Sequence, residues 1–228
     1  MKCLHCSQPI VTLPSLRELF LFRPDTGARL CAACLDRFGK IDTRQACQGC
    51  CKPNQSILCE DCQAWRARYP QYDFKHTALF NYDLEMREWF RSYKFQGNYA
   101  LRFSFAQNIA RALKNKKKWL IIPIPLSADR LAERGFNQVE ALLAAAEVPY
   151  ADCLQRSEGG KPQAQKDRAQ RLATIQPFSL KKECASQVVA RDVLLVDDIY
   201  TTGRTLFHAS QLLLKYPVKK IETFSLAR

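Results

Sequence analysis

Four stretches of the chain are short and densely apolar: ALF with Tyr82 at 78–82, WLIIPIP at 119–125, VLLV at 193–196 and KIETFSLA at 220–227. VLLV is apolar at both parities, the pattern of a central strand covered on both faces. Between these runs the period lengthens. Met86, Trp89, Phe90 and Tyr93 recur at helical spacing, and a second amphipathic helix is predicted over about 99–114. LSADRLAERGFNQ leads into a further helix, NQVEALLAAAE, and after residue 203 Leu206, Ala209 and Leu213 share one helical face. Strands separated by helices predict an α/β fold, a parallel sheet with flanking helices. One polar stretch, QRSEGGKPQAQKDRAQRLAT, has no apolar period and is long for a connection, so it is either mobile or functional.

Composition supports a folded core: 47% of the 228 residues are apolar, which excludes wholesale disorder. Lys and Arg outnumber Asp and Glu, 35 to 22, giving a formal charge of +13 and a preference for anionic partners. MKCLHC lacks the apolar core of a secretory signal, and no run approaches the roughly 20 apolar residues of a spanning helix. The chain reads as cytosolic, at most peripheral at the inner face of a membrane.

Nine of the eleven cysteines fall between Cys3 and Cys62. Eight form pairs of one spacing: Cys3 and Cys6, Cys31 and Cys34, Cys47 and Cys50, Cys59 and Cys62. Two intervening residues let a tight turn aim both sulfurs at one ion, and zinc takes four thiolates in a tetrahedron. Two structural zinc sites follow. Sequential grouping is simplest, and spacing alone leaves a cross-braced arrangement open. Cys51 is an alternative to Cys50; Cys153 and Cys184 read as small buried residues. Two zinc-bound thiolate sets lower the formal charge to about +9. The module, residues 1–64, is explained as well by the need to fold a short segment as by docking a partner. Residues 65–228 form the second expected domain.

The stretch VLLVDDIYTTGRT at 193–205 places Asp197 and Asp198 at the carboxyl end of the central strand, where open α/β sheets bind their ligands. Thr201, Thr202, Gly203 and Thr205 follow at a helix N-terminus, a natural phosphate cradle. Paired carboxylates beside such a cradle suit a sugar phosphate, through vicinal hydroxyls or a magnesium shell. The GxxxxGK[ST] loop of nucleotide triphosphatases is absent. The stretch resembles the phosphoribosyl pyrophosphate (PRPP) signature of type I phosphoribosyltransferases. The resemblance implies that Asp197 and Asp198 contact the ribose hydroxyls, that the threonines and Gly203 bind the 5-phosphate, and that magnesium accompanies PRPP. Arg130 and Arg134 follow the WLIIPIP strand, in a region that approaches pyrophosphate in such enzymes, and are expected to hold pyrophosphate or nucleic-acid phosphate. Arg171 and Gln163 match a loop that closes over the site, although Thr174 stands where an asparagine is expected. Thr201 occupies the position of the usual purine-salvage base, and a threonine cannot take that proton near neutrality.

Taken with the cysteine pairs, YKFQGN and IPIPLSADRLAERGFNQ, the order of motifs resembles the ComF family over nearly the whole chain. That resemblance implies a role in natural transformation, handling single-stranded DNA in the cytoplasm, with the helicase-like ComFA protein and the DNA-processing protein DprA as partners. Two other readings stand beside it: an active phosphoribosyltransferase that displaces pyrophosphate from PRPP toward an unknown acceptor, and a scaffold that docks partners through zinc.

Overall fold

The computed structural model describes residues 1–10, 29–55, 57–70, 73–156 and 176–228. Four parallel strands form the central sheet: β1 (His76–Phe80), β2 (Leu120–Pro123), β5 (Asp192–Ile199) and β6 (Lys220–Ala227). Their order is β1-β6-β5-β2, with every neighbouring pair parallel. The VLLV run is therefore flanked by β6 and β2, and all four of its residues are buried. Two short antiparallel strands, β3 (Leu154–Arg156) and β4 (Phe178–Leu180), pair with each other away from the main sheet. Neither had a clear apolar signature. The polar stretch between them, with Gln163, Arg171 and Thr174, lies outside the described residues.

Strand alternation divides the core in two. Ile121, Leu194, Val196, Phe224 and Leu226 face one side. There they meet helix α3 (Leu84–Phe95), through Met86, Trp89, Phe90 and Tyr93, and helix α6 (Gln138–Ala145), through Val139 and Leu142. Ile122, Val193, Leu195 and Ile221 face the other side, against Leu206, Phe207 and Leu213 of helix α7 (Arg204–Leu213). Each of these large apolar side chains is worth about 1.5–3 kcal/mol when fully buried. Asp83 caps α3 by accepting from the Met86 N–H at 2.9 Å, and Asn137 caps α6 by accepting from the Val139 N–H at 2.9 Å.

The cysteine pairs bring two short helices, α1 (Ala32–Asp36) and α2 (Glu60–Arg68), each starting directly after a cysteine. The single helix expected over 99–114 is instead a 3₁₀ turn, Tyr99–Phe103, followed by α4 (Ala106–Ala112). The break lets Ser104 accept from the Trp89 indole at 3.1 Å and lets Phe105 insert fully buried. The LSADRLAERGFNQ segment holds a helix of its own, α5 (Ala128–Arg134), which ends on the left-handed Gly135. A second correction concerns Cys153 and Cys184. They are buried, as expected, but are paired as a disulfide, with Cα atoms 5.4 Å apart.

Candidate functional site

The carboxyl ends of β5 and β2, the first turn of α7 and the end of α3 converge on the two acids. Asp198 is buried and its carboxylate is well satisfied. Oδ2 accepts from Lys94 Nζ at 2.5 Å and from Gln138 Nε2 at 2.8 Å, and Oδ1 accepts from the Ile199 N–H at 2.7 Å. Gln138 in turn accepts from Arg134 through Oε1 at 2.8 Å. Arg134, Gln138, Asp198 and Lys94 are thus one network. Asp197 accepts from the Asp198 N–H at 2.9 Å. Burial, and then the neighbouring Asp198 charge, push its carboxyl up to about 7.

The loop after β5 is shaped by Gly203. It caps α7 with φ +74°, a left-handed conformation, and a Cβ there would lie 2.2 Å from the Tyr200 hydroxyl oxygen. Both the backbone angle and the space demand glycine. Thr201 and Thr202 are exposed and Thr205 is half-buried, beside first-turn amides that have no intrahelical partner. Such a turn can bind an anion through N–H and hydroxyl groups. Arg130, exposed, and Arg134, half-buried, sit on α5 across from α3.

Beneath the loop lies a support that sequence reasoning missed. The Trp65 indole of α2 donates to the Thr202 carbonyl at 3.2 Å and stacks on Phe207 at 3.9 Å. The Tyr200 ring lies between Arg228, 4.8 Å from its centroid, and His76, 4.4 Å away. His76 is buried and neutral, its pKa lowered by burial and then by Arg228 to about 3. Its ring nitrogens lie 2.9 Å from the Thr223 hydroxyl and 3.0 Å from that of Ser225. Lys94 and Gln138 were also missed as site residues, although YKFQGN and RGFNQ, which contain them, stand out in the sequence.

The eight paired cysteines gather as the sequential grouping predicts: Cys3, Cys6, Cys31 and Cys34 in one cluster, Cys47, Cys50, Cys59 and Cys62 in the other. Within each, the sulfurs lie within 4.8 Å of one another. Four sulfurs at about 2.3 Å from a central zinc in a tetrahedron are about 3.8 Å apart. The Cys6–Cys31 and Cys50–Cys59 separations of 3.8 and 3.6 Å fit that size, so each cluster could hold a zinc ion. Two further donors point at sulfur: the Cys31 N–H to Cys3 and the Cys59 N–H to Cys47, both at 3.3 Å. In the second cluster Arg228 donates to Cys50 at 3.2 and 3.0 Å. A hydrogen bond from Cys62, and then Arg228, hold the Cys50 thiol down at about 5. Cys51 stands outside the cluster, its thiol 3.2 Å from the His76 carbonyl oxygen. His5 pairs with Glu85 at 3.1 Å.

A parallel sheet with paired acids and a glycine-hinged loop at one strand end defines a phosphoribosyltransferase-type protein, and the family model described as phosphoribosyl transferase domain matches residues 103–228. Among solved structures, a hypoxanthine phosphoribosyltransferase from Staphylococcus aureus is 19% identical, with a TM-score of 0.32 over 54% of this chain and 61% of that one, a likeness too slight to bear on chemistry. The likeness to two relatives runs end to end. The competence protein ComFC of Streptococcus pneumoniae is 39% identical, covering 100% of both chains. ComFC of Bacillus subtilis is 31% identical over 99% of this chain and 94% of the relative. The chain belongs to the ComFC family of competence proteins.

Proposed function

We propose that the protein is a competence factor that supports the uptake or handling of single-stranded DNA during natural transformation, and that it carries a PRPP-type sugar-phosphate site. The end-to-end likeness to two competence proteins carries the reading. In this proposal Thr201, Thr202, Gly203 and Thr205 hold the 5-phosphate, and Asp197 and Asp198 take the ribose hydroxyls. Arg130 and Arg134 face pyrophosphate or backbone phosphate. Magnesium suits paired carboxylates beside phosphate oxygens. Asp197 would be its protein ligand, since Lys94 already neutralises Asp198. The bound ion would offset charge on the pyrophosphate oxygens. Lys94 must leave Asp198 for the ribose to reach it, and its ammonium then becomes available to the pyrophosphate. ComFA and DprA are the protein partners this family membership suggests, and the work belongs on the cytoplasmic side of the membrane.

The alternative, turnover of PRPP with an unknown acceptor, needs a group to take a proton from the acceptor. Thr201 cannot serve, and Asp197, near the end of β5 with its carboxyl raised to about 7, is the group offered for that role. Calorimetric titration with PRPP and magnesium, beside the Asp197→Asn/Asp198→Asn variant, tests the site. Saturable binding lost in the variant is expected. No binding by the folded, zinc-loaded wild type would remove the sugar-phosphate site from the proposal. Release of pyrophosphate on adding candidate acceptors would favour the alternative.

A further inference from the structure

Helices α3 and α5 face each other across a cavity of about 530 Å³, one of whose lining residues, Lys94, is bound to Asp198. Arg87, Arg91 and Lys94 line one wall, at positions i, i+4 and i+7 of α3, a row about 10 Å long. Arg130 and Arg134 line the other wall, at i and i+4 of α5. The only carboxylate among the lining residues is Glu133. Like charges at this spacing destabilise a helix, and facing rows of them repel across the gap. Internal pairing relieves little of that strain. Lys94 is bound to Asp198, and among the described residues the one ion pair of Arg91 is with the exposed Glu88, at 3.4 Å. Among the described residues, the Arg87 and Arg130 side chains have no hydrogen-bond or ion-pair partner. Arg134 keeps a buried Nε without one. At the end of the α3 row Phe95 is 65% exposed, with the Arg134 guanidinium 5.2 Å from its ring centroid.

We infer that this groove is a binding site for a single nucleic-acid strand, with the two arginine rows on successive phosphates and Phe95 stacking on a base. The inference rests on the DNA-handling reading above and gives it an address. The charge calls for a polyanion longer than PRPP, because Arg91 and Arg87 lie about one and two turns back along α3 from Lys94, the residue that touches Asp198. A cleft between two helices admits one strand and excludes a duplex. An exposed aromatic ring with a guanidinium over one face suits stacking of an unpaired base on the other.

The test is fluorescence anisotropy with a labelled oligothymidylate across a potassium chloride series, using the zinc-loaded full chain. The variants are Arg87→Gln/Arg91→Gln and Phe95→Ala. The residues changed are exposed, and zinc content and melting midpoint report that folding is intact. Wild type should bind with a steep salt dependence. The double variant should bind about 10- to 30-fold more weakly, with a salt slope shallower by about 1.4 for two lost phosphate contacts. Phe95→Ala should lose about fivefold or more with the slope unchanged. PRPP titration should be the same in the double variant and wild type. Wild-type affinity and slope in the double variant would overturn the groove while leaving DNA handling standing. A wild-type protein that takes PRPP but no oligothymidylate would overturn the DNA-handling reading, and the groove with it. Equal competition by a duplex or by anionic vesicles would show a general polyanion surface and overturn the single-strand assignment.

Discussion

The two cysteine clusters have the same ligands and the same spacing, yet they serve opposite faces of the sheet. In the first, Cys6 is exposed and Cys31 half-buried, while Cys3 and Cys34 join the core that contains α3. His5, beside it, and Arg37 both reach Glu85 in the first turn of α3. In the second, all four cysteines are buried and belong to the core that contains α7. Arg228 ties that cluster to Tyr200, and α2, which starts directly after Cys59, ties it through Trp65 to Thr202. The first cluster steadies the helix that carries the basic row; the second buttresses the loop between β5 and α7. A ligand set therefore says what an ion is, and only its surroundings say what the ion supports.

The comparison breaks most sharply at the ligands themselves. Cys50→Ser should remove the second zinc and strand the Arg228 guanidinium, costing roughly 4 kcal/mol. Cys6→Ser, at an exposed ligand where water can substitute, should cost about 1–2 kcal/mol. Urea denaturation with zinc counted by native mass spectrometry measures both. PRPP titration adds the functional half: the Cys50 variant should lose binding and the Cys6 variant keep it. Equal losses in the two would mean that the clusters are not specialised.

Two glycines sharpen it next. Gly203 and Gly135 have nearly equal left-handed angles, φ +74° and +76°. Only Gly203 has a neighbour in the way, because nothing lies within 4 Å of a Cβ built on Gly135. Gly203→Ala should cost about 2–3 kcal/mol and abolish phosphate binding, whereas Gly135→Ala should show the backbone strain alone, about 1 kcal/mol. Melting curves of the pair separate the crowding from the strain.

Much of the loop half was legible in the chain. VLLV is apolar at both parities, so its burial on two faces and the position of the acids followed from periodicity. Spacing marked the eight ligands and made sequential grouping the simplest arrangement, but the choice over a cross-brace came from the structure. What was not legible depends on contacts distant in sequence. Lys94 and Gln138 reach Asp198 from segments that periodicity marks only as helix, and one polar residue on an amphipathic helix looks like another. Trp65 reads as an aromatic in a basic connector until α2 is seen to lay it on Phe207. Cys153 and Cys184 carry no pairing signal, because the stretch between them has no pattern. The break at Ser104 was hidden because Leu101, Phe105 and Ile109 keep helical spacing through it.

The acids provide a third contrast. Asp198 is held by a cation from α3, while Asp197 is the acid whose carboxyl is raised to about 7 by burial and by its neighbour. A folded pKa above the unfolded value of about 3.9 means that the folded state binds the extra proton. Its contribution to stability is full below about pH 4 and is lost as pH rises through 7. Asp197→Asn should therefore flatten the fall in stability between pH 4 and 7, a difference of roughly 1–3 kcal/mol given the partial exposure of the group. Urea midpoints across that range measure it, and parallel profiles for variant and wild type would place the titration elsewhere.

The smallest expected effect tests the link between metal and loop most directly. Trp65→Phe keeps a ring on Phe207 but removes the N–H that reaches the Thr202 carbonyl. One neutral hydrogen bond is worth about 1 kcal/mol, so global stability should move by no more than that. The carbonyl it releases belongs to the residue before Gly203, where a small rotation tilts the cradle. PRPP affinity should fall about fivefold while zinc content stays at wild-type level, because the lost bond lies on the loop side of α2 and the sulfurs are untouched. If affinity holds, the indole serves packing alone and the buttress runs through Arg228 and Tyr200, which Arg228→Met, with zinc again counted, would then have to show.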